Sequence, residues 1–253
     1  MSSLQGKTAF IAGGTAGIGL AVAEAYVQAG ATVWIGGRRE DAEAIASAAG
    51  CSFVPLNVRE PESYADAFEA IGAPLDVLVL NAGIGHPPSP VAGVSDKHAR
   101  LVVEVNLLGT FWGLKQGPEH MRDGGSIIIT SSISAVTGTP IEGLYGATKA
   151  GVSQLARSAA IDLGPRGIRV NAVQPGATWT DLNAMPERLL EIIAPLGRKG
   201  RVEDLTGLYV YLASDESSYM TGQALSVDGG VTAGLSQALM GAVASQLQTE
   251  AVA

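Results

Sequence analysis

The sequence contains very little cysteine, which limits its chemistry. Among 253 residues Cys51 is the single cysteine, so an intrachain disulfide and a cysteine-based metal cluster are excluded. Long hydrophobic runs are also missing, since stretches such as residues 77–80 fall far short of the roughly 20 apolar residues that span a bilayer. The first residues lack the basic-then-apolar pattern of a signal peptide. We therefore expect a cytoplasmic protein with no metal site and no membrane partner.

Basic residues are scarce as well. The chain carries 16 Lys and Arg against 24 Asp and Glu, a formal net charge of −8, which argues against nucleic acid as a partner. Charged residues make up 16% and hydrophobic residues 47% of the chain, a balance that excludes intrinsic disorder. No repeat, low-complexity tract or linker interrupts the sequence. Residues 1–253 are therefore predicted to form one domain.

The sequence does contain a regular alternation of short β-type runs and longer helical stretches. Runs such as residues 127–129 are apolar throughout, as in strands covered by helices on both sides. Strands are predicted at residues 7–12, 32–36, 52–56, 76–80, 126–130, 169–173 and 224–227, and helices at 18–29, 39–49, 97–121 and 144–163. The pattern predicts an α/β fold, a Rossmann-type doubly wound parallel sheet of about seven strands with helices on both faces.

A glycine-rich segment, residues 13–19, joins the first predicted strand to the first predicted helix. Glycines allow a tight turn and a close backbone approach, and a helix N-terminus presents free N–H groups to an anion. Alone the segment could be an ordinary turn, but its place between strand and helix favours a dinucleotide pyrophosphate site. The residues assigned to this site are Gly13, Thr15, Gly17, Ile18 and Gly19.

The end of the second predicted strand indicates which dinucleotide is bound. An acidic residue there would bind the ribose 2′-hydroxyl of NAD(H), whereas a cation would accept the 2′-phosphate of NADP(H). Gly37 occupies the acidic position, and Arg38 and Arg39 follow it. Guanidinium groups grip phosphate bidentately, so NADP(H) is favoured over NAD(H). The alternative is that both arginines only begin a solvated helix.

Tyr145 and Lys149 are spaced i and i+4, which places a phenol and an ammonium on one face of a helix. The reference pKa of tyrosine is about 10, and the cation is expected to lower it toward a range suited to proton exchange. Such a pair alone is usually structural. Here Ser132, residues 81–83 and residues 174–176 all follow predicted strands, at the edge where open α/β sheets bind ligands.

In this order and spacing the motifs resemble those of the short-chain dehydrogenase/reductase family over nearly the whole chain. The resemblance is carried by Gly13, Gly17, Gly19, Asn81-Ala82-Gly83, Asn106, Ser132, Tyr145, Lys149, Pro175-Gly176, Thr180 and Val227-Asp228-Gly229-Gly230. It implies a tetramer built on the two long predicted helices. It also implies an enzyme that transfers a hydride between a nicotinamide and a carbonyl or alcohol carbon.

The resemblance implies a role for each matching residue. Tyr145 would be the proton donor or base, with Lys149 lowering its pKa and binding the nicotinamide ribose. Ser132 would hold the substrate oxygen, and Asn106 would hold a water that links Lys149 to solvent. The rest of the cofactor would be bound by Asn81, Ala82, Gly83, Pro175, Gly176, Thr178 and Thr180. From the residues alone, Asn106 could instead mark a helix kink.

The chain departs from the family pattern at some positions. Ala12 stands where the family usually has threonine, so a local hydrogen bond is lost. Asn57, followed by Val58, replaces the usual aspartate that contacts adenine. The carbonyl of asparagine can still accept that bond, so adenine binding is expected to be altered rather than lost.

The expected substrate pocket is mostly apolar. Its assigned residues, beside Ser132, are Ile133, Ser134, His86, Leu144, Trp179 and Met185. No cation stands out that would clamp a carboxylate or phosphate. Instead of contacting substrate, His86 could lie in a solvent-exposed loop. Trp179 could instead pack the segment that follows residues 175–176.

These observations lead to a ranked set of functions. The leading prediction is an NADPH-dependent carbonyl reductase, reversible as a secondary-alcohol dehydrogenase, whose small-molecule ketone is neutral with apolar or aromatic substituents. The alternatives are a 3-oxoacyl-[acyl-carrier-protein] reductase and, from another class, a non-catalytic dinucleotide-binding sensor or scaffold. A homotetramer is expected. The tail at residues 231–253 has an apolar stripe at helical spacing, which suggests a subunit interface, a pocket cover or a frayed surface helix.

Overall fold

The computed structural model describes residues 3–180 and 186–252, with side chains in the last helix described up to residue 244. Its strands form one parallel sheet in the order β3-β2-β1-β4-β5-β6-β7. The strands are β1 Thr8–Ala12, β2 Thr32–Gly37, β3 Ser52–Pro55, β4 Leu75–Leu80, β5 Met121–Thr130, β6 Arg169–Pro175 and β7 Ala224–Val227. This confirms the predicted Rossmann-type sheet. Strands β1 to β3 are added toward one edge and β4 to β7 toward the other, so the strand order reverses between β1 and β4.

Helices cover both faces of the sheet. They are α1 Gly17–Gln28, α2 Ala42–Ala48, α3 Pro61–Ile71, α4 Asp96–Val102, α5 Gly109–Gln116, α6 Gly143–Leu163, α7 Glu187–Ile193, α8 Glu203–Ala213 and α9 Gln237–Val252. Side chains of α3, α5 and α6 pack on one face, and those of α1, α2 and α8 pack on the other. None of the helices in the described part of the chain is long and apolar enough to cross a membrane.

The alternation of side chains along each strand explains the apolar runs of the sequence. In β5, Ile127 and Ile129 pack into one hydrophobic cluster and Ile128 into the other, and all three are fully buried. Successive side chains of a strand point to opposite faces, so a strand covered on both sides must be apolar throughout.

The helix predicted at residues 97–121 is wrong in part. It is divided into α4, a π-helical turn at Val103–Leu108 and α5, followed by a short 3₁₀ turn at Gly117–His120. The strand predicted at residues 126–130 begins earlier, at Met121, which pairs with Leu75 before the register shifts.

Two well-formed helices, α3 and α8, were not predicted. Both carried recognisable signals. Pro61 opens α3 at a position where its missing N–H is harmless, and Gly72 ends it in the left-handed conformation at φ 62°. Glu203 and Asp204 stand in the first turn of α8, where acidic residues complement the helix dipole.

The tail beyond β7 forms the predicted helix, α9, which lies against α7. Ser236 just before it donates a hydrogen bond from its hydroxyl to the carbonyl of Ile192. In the part of α9 whose side chains are described, Val243 of the predicted stripe and the neighbouring Met240 are about half exposed, at 47% and 53%. This leaves an apolar face of α9 directed away from α7.

Candidate active site

The carboxyl ends of β1, β4, β5 and β6 lie side by side in the sheet, and the predicted site residues follow them. Residues 13–19 follow β1, Asn81 follows β4, Ser132 follows β5 and Gly176 follows β6. The start of α6 supplies Tyr145 and Lys149 to the same edge. The topology therefore brings together segments far apart in sequence.

The glycine loop is held by the backbone of its neighbours. The N–H of Gly13 donates to the carbonyl of Gly36 at 2.9 Å, and Asn81 Nδ2 donates to the carbonyl of Gly13 at 2.8 Å. A Cβ on Gly13 would lie 2.7 Å from the backbone of Ala82, and a Cβ on Gly19 would overlap the Gly13 carbonyl oxygen. Asn81 and Ala82 therefore position the loop, and the glycines permit this close packing.

The start of α1 fits an anionic group. Its N-cap residue, Ala16, has an extended backbone and gives no side-chain cap, and no acidic residue occupies the first turn. Ile18 lies in that turn, whose N–H groups and dipole favour negative charge. Thr180 packs over Gly17, since a Cβ there would lie 3.3 Å from its methyl group. The loop, α1 and Thr180 thus form a cradle suited to a pyrophosphate.

The end of β2 has no space for an acidic side chain. A Cβ on Gly37 would lie 2.7 Å from the methyl carbon and 2.8 Å from the hydroxyl oxygen of Thr15. Arg38 beyond it is exposed. Arg39 makes two hydrogen bonds to the carboxylate of Asp41, at 2.9 and 3.0 Å, and thereby lowers the pKa of Asp41. The two arginines are therefore not equivalent: Arg39 already binds a carboxylate.

The loop after β3 holds the residues assigned to adenine. Asn57 Nδ2 donates to Glu60 at 2.6 Å, whereas Oδ1 accepts only a long bond of 3.4 Å from the N–H of Arg59. Val58 is 8% exposed. The amide oxygen of Asn57 keeps a lone pair for a donor on a ligand.

The side chain of Ser132 faces the Tyr145 phenol and lowers its pKa. Ser132 Oγ also accepts a bond of 3.1 Å from the N–H of Ser134. This leaves the Ser132 hydroxyl hydrogen free to be donated to the phenol or to a substrate oxygen. Neighbouring Ser131 has a different task, since its Oγ donates to the carbonyl of Lys149 at 2.8 Å.

Lys149 is 3% exposed, and burial lowers its pKa to about 8. Nζ donates to the carbonyl of Thr130 at 2.8 Å and lies 5.7 Å from the centroid of the Tyr145 ring. Gly83 packs directly on it, because a Cβ there would lie 3.1 Å from Nζ. The ammonium is therefore fixed between the end of β5 and the loop after β4.

The expected direction of the Tyr145 pKa is wrong. Burial raises the pKa of the Tyr145 phenol to about 12, the hydrogen bond from Ser132 lowers it, and the charge of Glu142 raises it further. Lys149 directs its Nζ to the carbonyl of Thr130 rather than to the phenolic oxygen, so it does not offset the loss of hydration. Sequence reasoning considered the i, i+4 spacing but not the removal of both groups from water.

Asn106 is fully buried, and its side chain holds the loop that follows β4. Oδ1 accepts from the N–H of Ile84 at 2.8 Å, and Nδ2 donates to the carbonyl of Ile84 at 2.9 Å. Nδ2 also lies 3.2 Å from Thr148 Oγ1. Asn106 lies in the π-helical turn that interrupts the helix, and it also lies at the candidate site. The two predictions for Asn106, a helix kink and a site residue, are therefore compatible.

The segment after β6 is tied to the turn before α8. Thr178 forms an isolated parallel bridge with Gly200, and its Oγ1 donates to the carbonyl of Gly176 at 3.0 Å. Trp179 is 50% exposed, with Lys199 Nζ 4.2 Å from its ring centroid. Sequence reasoning missed Lys199, and no local signal pairs it with Trp179.

The remaining substrate candidates differ in burial and in hydrogen bonding. Ile133, Ser134 and Leu144 are partly buried, and Ser134 Oγ lies 3.3 Å from Glu142, which sequence reasoning did not select. His86 Nδ1 lies 2.8 Å from the carbonyl of Pro87, while its Nε2 is buried and has no hydrogen-bond partner among the described residues. The buried Nε2 does not agree with the alternative in which His86 is a solvent-exposed loop residue. Met185 lies outside the described residues.

Known proteins resemble the chain along most of its length. The sequence model of a family described as Enoyl-(Acyl carrier protein) reductase matches residues 12–232. An NADP-dependent (R)-specific alcohol dehydrogenase of Lentilactobacillus kefiri is 38% identical over 249 residues, 91% of this chain and 98% of that protein. A 3-alpha-(or 20-beta)-hydroxysteroid dehydrogenase of Mycobacterium tuberculosis is 38% identical over 261 residues, 98% of this chain and 97% of that protein.

A solved structure agrees with the sheet and helices described above. A short-chain type dehydrogenase/reductase from Mycobacterium marinum superposes with a TM-score of 0.83 at 36% sequence identity, covering 92% of this chain and 98% of that one. The strand order and the presence of the glycine loop with Ser132, Tyr145 and Lys149 agree with these matches. The chain belongs to the short-chain dehydrogenase/reductase family of oxidoreductases, which act on alcohol and ketone groups with a nicotinamide cofactor.

Proposed function

We propose that the chain is an NADP(H)-dependent carbonyl reductase that also works in reverse as a secondary-alcohol dehydrogenase. The observation that carries the proposal is the grouping of Ser132, the Tyr145 phenol and the buried ammonium of Lys149, whose Nζ lies 5.7 Å from the centroid of the Tyr145 ring. These groups stand at the sheet edge next to a cradle suited to a pyrophosphate. The similarity to an NADP-dependent (R)-specific alcohol dehydrogenase supports the same activity.

In ketone reduction, Tyr145 gives its phenolic proton to the carbonyl oxygen, which becomes the hydroxyl oxygen of the product. Ser132 donates its free hydroxyl hydrogen to the same oxygen and stabilises the negative charge that develops on it. Lys149, whose Nζ lies 5.7 Å from the centroid of the Tyr145 ring, would hold the ribose of the bound nicotinamide beside the phenol. A bound nicotinamide supplies the hydride that the carbonyl carbon accepts.

The pKa of Tyr145 favours a particular pH dependence for each direction. At a pKa of about 12 the phenol carries its proton at neutral pH, the state that reduction requires. Alcohol oxidation requires the phenolate as a base. We therefore expect oxidation to gain speed as the pH rises, while reduction proceeds at neutral pH.

We infer that NADP(H) is preferred because Gly37 and Thr15 leave no room for an acidic side chain and Arg38 is exposed beside them. Arg38→Ala is expected to raise KM for NADPH by about 10-fold or more, the scale of one charge-assisted phosphate contact, and to leave KM for NADH unchanged. Arg39→Ala is the matched control, with a smaller expected effect because Arg39 binds Asp41. Equal loss for both cofactors in Arg38→Ala would contradict the assignment.

The proposed substrate is a neutral ketone or secondary alcohol with apolar or aromatic substituents. Ile133 and Leu144 are the chain neighbours of Ser132 and Tyr145 and offer apolar surface there, and Trp179 offers a half-exposed ring in the segment after β6. The similarity to a hydroxysteroid dehydrogenase supports a large hydrophobic substrate. A clear preference for a carrier-bound 3-oxoacyl group over free ketones would replace this proposal with acyl-carrier-protein chemistry.

We further propose that the enzyme is a homotetramer assembled through α5 and α6. Exposed apolar side chains support this: Leu108 is 37%, Phe111 39% and Ile161 78% exposed. The tail at residues 231–253 would add a further contact through its exposed apolar face. Light scattering that gives the mass of a monomer would refute the assembly.

The activity is tested with Tyr145→Phe. Without the phenolic proton, kcat for NADPH oxidation by an aryl ketone is expected to fall about 100- to 10,000-fold, the usual contribution of a general acid. NADPH affinity, measured by fluorescence titration, should stay within a few fold. Near-normal turnover in the variant would refute the mechanism. If the unmodified protein binds NADPH and reduces no ketone in a broad panel, a non-catalytic sensor or scaffold becomes the better proposal.

A further inference from the structure

Lys199 is a buried cation beside the segment that follows β6. It is 3% exposed, although the ring it contacts, Trp179, is 50% exposed. Its Nζ lies 4.2 Å from the centroid of that ring, a distance at which an ammonium is attracted by the negative face of an indole. The carboxylate of Glu187 opposes the lowering of the Lys199 pKa by burial and so favours the charged form.

The backbone joins the two residues as well. Trp179 N–H donates to the carbonyl of Gly200 at 2.9 Å, and Gly200 N–H donates to the carbonyl of Ala177 at 3.0 Å. These bonds flank the bridge between Thr178 and Gly200. They fix the main chain of Trp179 but leave its side-chain torsions free. The ammonium of Lys199 is in contact with the ring itself.

The position of Trp179 in the chain gives this contact a functional meaning. Thr178, on one side, is bonded to Gly176, and Thr180, on the other side, packs over Gly17 of the glycine loop. Trp179 therefore stands at the border of the proposed cofactor cradle, with half of its surface open. A ring in this place can form one wall of the substrate site.

We propose that Lys199 is a positioning residue that holds the indole of Trp179 as a fixed wall, and that this wall favours ketones with a large apolar or aromatic substituent. The kinetic part of this inference rests on the proposed reductase function, whereas the structural part does not. A large substituent gains contact with a ring that is already in place, so little side-chain entropy is lost on binding. A small ketone does not reach the ring and gains nothing from it.

The test compares Lys199→Met, which keeps the aliphatic stem, with Lys199→Arg, whose guanidinium also binds an indole face. Lys199→Met is expected to raise KM for an aryl ketone about 3- to 10-fold with kcat little changed, the scale of one cation–π contact. KM for a small aliphatic ketone should not change. Lys199→Arg should restore the preference. In a Trp179→Phe background, Lys199→Met should have no further effect.

Acrylamide quenching gives a readout that needs no turnover. The tryptophan signal lost in Trp179→Phe identifies the contribution of this ring among the 3 tryptophans of the chain. Quenching of that contribution should increase in Lys199→Met and return toward normal in Lys199→Arg. The matched control is Lys115→Met on α5, which removes a charge 5.7 Å from the Trp112 ring and should change neither KM value.

The outcomes separate the two proposals. Unchanged quenching in Lys199→Met, or equal KM changes for large and small ketones, would overturn the role of Lys199. If the unmodified protein reduces no ketone, the reductase function and the substrate preference both fail. Increased quenching would then support the structural restraint alone. NADPH affinity close to normal in Lys199→Met would show that the variant is folded.

Discussion

Glu142 places a negative charge close to the proposed proton donor. Its charge raises the pKa of Tyr145, whereas the hydrogen bond from Ser132 lowers it. Ser134, 3.3 Å away, holds the carboxylate in place. A carboxylate here favours the neutral phenol over the phenolate. The residue therefore supports the form of Tyr145 that reduction uses and disfavours the form that oxidation uses.

Glu142→Gln is expected to lower the Tyr145 pKa because it removes a charge of the same sign as the phenolate. In a pH profile of kcat/KM for alcohol oxidation, the rising limb should move to lower pH by roughly 0.3 to 1 unit. Glu69→Gln, at an exposed position on α3, is the control and should leave the profile in place. A limb that stays or moves to higher pH would show that Glu142 does not act on the phenol.

At this scale the sequence predicted residue identities better than their contacts. Ser132, Tyr145 and Lys149 were selected, and the structure brings them together. The ion pair of Arg39 with Asp41 was not foreseen as a competitor for phosphate. Spacing along a helix reports neighbours on that helix, whereas burial and bonds to other segments depend on the assembled fold.

Among the elements, the junction of α1 with β1 and β4 depends on a missing side chain. Gly19 lets the first turn of α1 approach the carbonyl of Gly13 and the amide of Asn81, which bond to each other at 2.8 Å. Backbone atoms have little freedom to move away from an added Cβ. The dinucleotide loop and the end of β4 are therefore positioned by one contact.

Gly19→Ala is expected to break this contact and weaken NADPH binding by about 10-fold or more, with a stability loss of about 1 to 3 kcal/mol from overpacking. Gly207→Ala on α8 is the matched control. Its Cβ would meet nothing within 4 Å, so the change should stabilise the protein by about 0.5–1 kcal/mol through helix propensity. NADPH titration and thermal unfolding measure both. Normal affinity in Gly19→Ala would contradict the proposed role of the junction.

The elements themselves were largely predictable where hydrophobic pattern and end signals agreed. β7 was predicted with its observed ends, Ala224–Val227. The helix predicted at 97–121 continued too far because the apolar pattern persists through Val103–Leu108, where a π-helical turn changes the register. That turn accompanies the bonds of Asn106 to Ile84, a tertiary contact that no local pattern contains.

For the whole molecule, the buried Lys149 reduces stability. Burial lowers its pKa to about 8 from an unfolded value of about 10.4, and a difference of roughly 2.5 units corresponds to about 3 kcal/mol. Below pH 8 both the folded and unfolded states carry the proton, and the full penalty applies. Between about pH 8 and 10.4 the unfolded state binds more protons, so stability from this group rises with pH.

Lys149→Met is therefore expected to stabilise the protein while it abolishes activity. The loss of a partner for the Thr130 carbonyl offsets about 1 kcal/mol, which leaves a gain of about 2 kcal/mol at pH 7. The gain should shrink as the pH approaches 10.4, because the lysine of the unmodified protein is then neutral in the folded state and about half neutral in the unfolded state. Urea unfolding at pH 7 and pH 10 checks this. A variant less stable than the parent at pH 7 would contradict it.

Cys51 lies immediately before β3, the edge strand of the sheet. Burial raises the pKa of its thiol to about 11, with a further contribution from Glu24, so hardly any thiolate exists at neutral pH in the folded state. Because the chain has no other thiol, covalent labelling by a thiol reagent reports one location. The labelling rate would then record how often the partly buried segment that leads into the outermost strand opens to the reagent, a natural kinetic probe that requires no engineered mutation.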